Sequence, residues 1–234
     1  MDVLLENWKP ILQAFGVTIE MMLIAGTIAM VVGSVLAAMR VSPIALARGF
    51  GATYIRVVRN TPLLVIMVLF AFGLPEIDIR PELNLNSVLG LEANHRLLNF
   101  NVFFIFATAA LGFYTAAFVC EALRSGINAV DLGQAEAARS IGMTFTQTLR
   151  HVVLPQAFRA VIAPLASVLI AMTKNTSVAL GVGVTEATYL MRKLTNDNAT
   201  ALVAIFVGFA AGYMILVFTI SAISNFLERK VRIA

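Results

Sequence analysis

Of the 234 residues, 59% are apolar and only 13% charged, and the mean hydropathy is +0.87. A soluble globule of this size needs more polar surface than that, so the composition excludes one and puts the chain in a bilayer. The net charge of +4 comes without a basic cluster interleaved with aromatics, so nucleic acid is not an expected partner, and a single Cys120 excludes a disulfide framework or a cysteine metal site within one chain.

A membrane-crossing helix takes about 20 mainly apolar residues. The opening MDVLLENWKP is acidic before it is basic and has no small-residue cleavage site, so it does not read as a cleavable signal. The first expected span is 21–39, extending back past Glu20 toward Phe15. The second, 60–75, is short and begins near Thr53 if Arg56 and Arg59 snorkel to the interface. At its start Thr61 before Pro62 reads as a helix N-cap with proline at the first position. If the helix restarts within the membrane, the free N–H groups beside Asn60 and Thr61 suit an anionic group instead.

Residues 76–96 form an acidic, turn-rich outer loop, either a face for an extracytoplasmic solute-binding protein or a plain spacer. The third span is 97–120, whose Phe103, Phe104, Phe106, Phe113 and Tyr114 read as packing. Glu121, at its end, reads as part of a solvated boundary. The histidines His95 and His151 have no metal-ligand company.

An amphipathic segment follows, DLGQAEAARSIGMTFTQTLRHVVLP, 131–155. Asp131 and Gln134 give a capping-box-like start to a helix ending near Ile141, and Gly142 suits the left-handed residue that closes it. Thr144 and Gln147 repeat the start signal for a second helix with Phe145, Leu149, Val152 and Val153 on one face. Pro155 is expected to kink the entry to a fourth span, 160–173. This helix–turn–helix fits a groove on another protein or a place on the lipid headgroups. Beyond it, TKNTSVALGVG (173–183) puts Lys174, Asn175, Thr176 and Ser177 at membrane depth, where Lys174 either meets a substrate carboxylate or snorkels outward. The fifth span is 198–227.

Basic residues orient the array. With the N-terminus outside, the inner side holds 11 of the 17 cations and 4 of the 13 acids, a net +7, against −3 outside. Residues 131–158 then face the cytoplasm, as does the C-terminus.

The stretch EAARSIGMTFTQTLRHVVLP, 136–155, resembles the EAA motif of membrane subunits of ATP-binding-cassette importers, matching at Glu136, Ala137, Ala138, Gly142, Leu154 and Pro155. GVTIEMMLIAG (16–26), YIRVVRNTPLL (54–64), GFYTAAFVCEALRSGI (112–127) and LIAMTKNTS (169–177) resemble the polar amino-acid uptake branch of those permeases. The chain departs from that pattern at Asn60, Ile66, Ala166-Ser167 and Asn175, which bears on substrate rather than family.

The resemblance implies an all-α integral membrane protein, one permease domain over 1–234, with a type I importer fold in a bacterial cytoplasmic membrane. It implies a coupling helix held by a cytoplasmic ATPase dimer that binds ATP and Mg. A second permease chain, identical or homologous, completes the path, and an extracytoplasmic amino-acid-binding protein delivers the solute. The chain itself has no G-x-x-x-x-G-K-[ST] phosphate loop, so no catalysis and no cofactor of its own are expected. Acidic amino acids or their amides are the favoured cargo, with basic ones open. A secondary transporter or channel is the alternative, and it needs repeated halves or buried carboxylates that the spans do not display.

Overall fold

The computed structural model describes residues 2–79, 83–84 and 99–231. It is helical except for a two-residue antiparallel pairing of Leu83–Asn84 with Asn99–Phe100. In chain order the helices are α1 (Asp2–Glu6), α2 (Trp8–Val41), α3 (Ala45–Arg59), α4 (Leu63–Glu76), α5 (Val102–Asn128), α6 (Leu132–Ser140), α7 (Phe145–Val182), α8 (Ala187–Asp197) and α9 (Ala199–Lys230). Among the described residues α2, α5, α7 and α9 are each long and apolar enough to span, four in all, and the bent pair α3 and α4 makes five when it is counted as one span. The expected outer loop 76–96 lies largely outside the described residues.

The centre of the molecule is the pair α2 and α5, with α7 packed on α5 and α9 on α7. Between apolar helices in lipid the hydrophobic transfer term is small, so close van der Waals packing through small residues takes its place. Gly112 shows this: a Cβ there would lie 2.8 Å from the Ile28 side chain and 3.1 Å from the Ala25 carbonyl oxygen. Around this seam Met21, Met67, Leu111 and Met172 are buried, together with Phe104 and Phe106. Phe70 meets Phe113, and Phe72 meets Phe103, so the aromatic run of the third span is packing as expected.

One expectation needs correction. The second span does not run back to Thr53 as one straight helix: the chain breaks at 60–62 and turns by 104°, leaving Arg56 and Arg59 on the separate helix α3. A count of apolar residues carries no information about direction, and here the side chains of the break cap α3 instead of continuing it. At Pro155 the chain stays helical, and Phe145–Val182 passes as one candidate span. The chain absorbs the proline with a π-turn over Leu149–Val153, in which the Leu154 N–H donates five residues back to the Leu149 carbonyl. Widening the turn relieves the clash between a proline ring and the carbonyl four residues earlier. The same device precedes Leu74-Pro75, where Leu69–Gly73 is a π-turn and the Leu74 N–H donates to Leu69.

Candidate functional site

The segment between α5 and the membrane portion of α7 takes its shape from local chemistry. The Asp131 carboxylate accepts from the Gly133 N–H at 2.8 Å and starts α6. Among the described residues Gln134 makes no reciprocal bond back to Asp131, so that capping box is only half formed. At Gly142 φ is +91°, a left-handed conformation that a β-carbon resists, and the Met143 N–H donates back to the Ala138 carbonyl. Two residues on, the capping box is complete: the Thr144 hydroxyl accepts from the Gln147 N–H and the Gln147 side-chain oxygen accepts from the Thr144 N–H at 2.9 Å.

The result is a wedge of two helices with a fixed corner at Gly142. Glu136 and Ala137 are exposed on it, and Ala138 is buried under the corner. Leu132, Ile141 and Phe145 are 79%, 81% and 76% exposed, so this chain leaves the wedge's largest apolar side chains uncovered. Leu154 and Pro155 sit at the junction with the rest of α7 and are also exposed.

The two expected substrate-path stretches meet each other, away from the wedge. Thr61 is not the N-cap of α4; Pro62 occupies that position. The Thr61 hydroxyl instead donates to the Val57 carbonyl and the Asn60 amide to the Arg56 carbonyl, both at 2.8 Å, closing the last turn of α3. From this break α4 packs on the tight 3-10 turn Thr176–Val182, with Leu64 lying over Gly181. Lys174 is exposed at the end of the regular α-helix, Asn175 and Ser177 are half-buried, and Thr176 is fully buried. The hydroxyls of Thr176 and Ser177 donate to the Thr173 and Lys174 carbonyls, each at 2.7 Å. They are spent on the local backbone. Among the groups the two stretches keep available are the Lys174 ammonium and the second amide N–H of Asn60.

Two residues carry more than their sequence context suggests. Glu121, still partly exposed at the end of the third span, pairs with Arg124 at 3.2 Å and reaches Arg59 of α3 at 4.0 Å, linking α3 to α5. Tyr54 adds to that tie by donating to the Phe113 carbonyl at 2.8 Å.

Glu186, between the fourth and fifth spans, is fully buried. Its carboxylate caps α8, accepting from the Thr188 N–H at 2.9 Å and the Tyr189 N–H at 3.0 Å, and it accepts the Tyr213 hydroxyl of α9 at 2.9 Å. The neighbouring Ala187 N–H donates to the Thr18 hydroxyl of α2. Burial pushes the Glu186 carboxyl above its ordinary range, and the donors around it pull it back only in part. The one sequence signal for this acid is its position directly before a helical pattern, where a carboxylate serves as a cap.

Residues 29–233 match the family of binding-protein-dependent transport system inner membrane components. A glutamate transport system permease protein of Corynebacterium efficiens is 44% identical over 209 residues, 88% of this chain and 87% of that protein. A glutamate/aspartate import permease protein of Escherichia coli is 31% identical over 94% of this chain and 87% of that one. Among solved structures, an amino acid ABC transporter with histidines superposes with a TM-score of 0.80 at 28% identity, covering 97% of this chain and 96% of that chain. The architecture of α2 to α9 and these matches together give one result: the chain belongs to the binding-protein-dependent inner membrane components, as a non-catalytic permease subunit of the amino-acid ATP-binding-cassette type.

Proposed function

We propose that this chain carries acidic amino acids or their amides inward across the cytoplasmic membrane, driven by a separate ATPase dimer that binds ATP and Mg and grips the wedge Asp131–Pro155. The observation that carries the coupling role is the set Leu132, Ile141 and Phe145, more than three-quarters exposed on an element shaped by its own local caps at Asp131 and Thr144. Exposed apolar side chains on a rigid corner are suited to a groove on another protein. Because α7 continues from the wedge's second helix through the π-turn into the fourth span, motion of the docked wedge passes to that span.

The cargo is read from the glutamate-type relatives and from Lys174 and Asn60, whose remaining donors are free to meet a carboxylate. The N-terminus is placed outside and the C-terminus inside by the excess of cations on the inner loops. A second permease chain and an extracytoplasmic amino-acid-binding protein complete the assembly. Glu136, Ala137, Ala138, Gly142, Leu154 and Pro155 are assigned to coupling; Asn60, Thr61, Lys174, Asn175, Thr176 and Ser177 are assigned to the path.

The test is co-purification in detergent followed by uptake of a panel of radiolabelled amino acids into vesicles with and without ATP. An ATPase should accompany the chain and be lost when residues 131–155 are scrambled. Glutamate, aspartate or their amides should compete best; uptake that persists without ATP, or an ATPase still bound to the scrambled chain, overturns the coupling role.

A further inference from the structure

We propose that Arg40, Arg56 and Arg59 form a binding site for the phosphate of an anionic phospholipid in the cytoplasmic leaflet. The inference rests on the orientation proposed above. The three arginines, with Ala52, Ile55 and Asn60, line a recess of about 400 Å³ where the end of α2 meets α3.

Arg40 is seated there. Its aliphatic stem lies against Gly51, where a Cβ would come within 3.2 Å of the Arg40 Cγ, and its Nε is buried with no acceptor among the described residues. A buried guanidinium donor without a partner is unfavourable, and a phosphate oxygen is an acceptor whose geometry suits the guanidinium fork. Glu121 does not neutralise the recess, because its single carboxylate is divided between Arg59 at 4.0 Å and Arg124 at 3.2 Å. Arg59 is held from another side by the Phe118 ring, 5.6 Å from its guanidinium carbon.

The rest of α3 fits the same occupant. Leu46, Phe50 and Val57 are 83%, 60% and 57% exposed and fall on one side of the helix, away from buried Gly51 and Ile55. A helix with an apolar stripe and a cationic flank lies at a lipid interface, its stripe against acyl chains. A basic recess between helices on the cytoplasmic side then meets head groups, which carry the phosphate. The phospholipid is favoured over free phosphate because it satisfies both features at once.

The experiment uses the permease–ATPase complex purified in detergent, washed, and analysed for retained phospholipid by mass spectrometry. Wild type should retain phosphatidylglycerol in preference to phosphatidylcholine, and Arg40→Gln or Arg56→Gln should each lower that retention by about fivefold, as expected for removing one cation near an anionic leaflet. Ala52→Glu supplies an internal carboxylate to the recess; it should lower retention while leaving thermal unfolding unchanged, which keeps the test decisive if the arginine variants fold poorly. Equal retention in all four proteins overturns the site. Displacement of the lipid by millimolar inorganic phosphate or by glutamate assigns the recess to a free anion and overturns the lipid proposal. Labelling of Ile44→Cys by an impermeant maleimide from outside the cell would overturn the orientation separately, whatever the lipid retention.

Discussion

The wedge around Gly142 and the knot around Glu186 use polar side chains in opposite ways. In the wedge the side-chain hydrogen bonds close within four residues: Asp131 to Gly133, Ser140 to Glu136, Thr144 with Gln147. In the knot, Ala187 bonds to Thr18 across 169 residues and Tyr213 reaches Glu186 across 27. Local bonds let an element keep its shape without the rest of the chain, which leaves its apolar side chains free for a partner. Long-range bonds do the reverse: they fasten α8 between α2 and α9. One region is made to be gripped, the other to hold still.

The contrast breaks most visibly at Glu186. Replacing it by alanine leaves the Thr188 and Tyr189 N–H groups without their acceptor and the Tyr213 hydroxyl with only the Thr188 hydroxyl at 3.0 Å, at a cost of about 3 kcal/mol. Thermal unfolding of the detergent-solubilised complex should show the loss, and Glu186→Gln, which keeps one acceptor oxygen, should recover part of it. If alanine unfolds no earlier than wild type, the knot is not what holds α8.

Gly142→Val comes next. A β-branched residue forced to φ +91° costs about 2 kcal/mol, and the strain is confined to the corner of the wedge. Insertion should be unaffected, while ATP-driven uptake should fall by about tenfold or more if that strain opposes the docked geometry. Normal uptake by a stably inserted Gly142→Val chain would mean that the corner angle does not matter to coupling.

The same contrast explains what the amino-acid sequence reveals by itself. Caps and left-handed glycines are signals written within four or five residues, so Asp131, Gly142 and the Thr144–Gln147 box are legible from their neighbours alone. The long apolar helices are legible from hydropathy. The break at 60–62 is not, because Asn60 and Thr61 bond backward to the carbonyls of Arg56 and Val57, and nothing local distinguishes that from an N-cap pointing forward. Pro155 announces a disturbance but not its form; a π-turn is one of several ways to accommodate a proline, and the structure uses it twice. Glu186 is not legible as an anchor, because its partner Tyr213, like the Thr18 that meets the neighbouring Ala187, lies on another helix.

Thr144→Ala should produce a smaller effect than Gly142→Val. Loss of a hydroxyl N-cap costs about 1 kcal/mol, and the first turn of α7 frays while the φ of Gly142 stays satisfied. Amide hydrogen exchange should quicken at Phe145 to Thr148 and remain unchanged in the membrane portion of α7. Quickened exchange along the whole of α7 would show that the wedge is not the locally built unit argued above.

The smallest effect is in the pH dependence. Burial raises the Glu186 carboxyl above its ordinary 4.5, so above that pH there is a window in which the native chain still holds a proton that the unfolded chain has released. More protons on the native state mean that stability falls as pH rises through this window, whereas below 4.5 both states are protonated and the contribution is complete. Other carboxylates titrate nearby, so the measurement is a difference: the unfolding temperature of wild type minus that of Glu186→Gln, followed upward from pH 4.5. That difference should decline with rising pH, because glutamine has no proton to lose. A difference that grows instead would mean that the two N–H donors and the Tyr213 hydroxyl outweigh burial, and that α8 is anchored on a charged carboxylate rather than on a carboxylic acid.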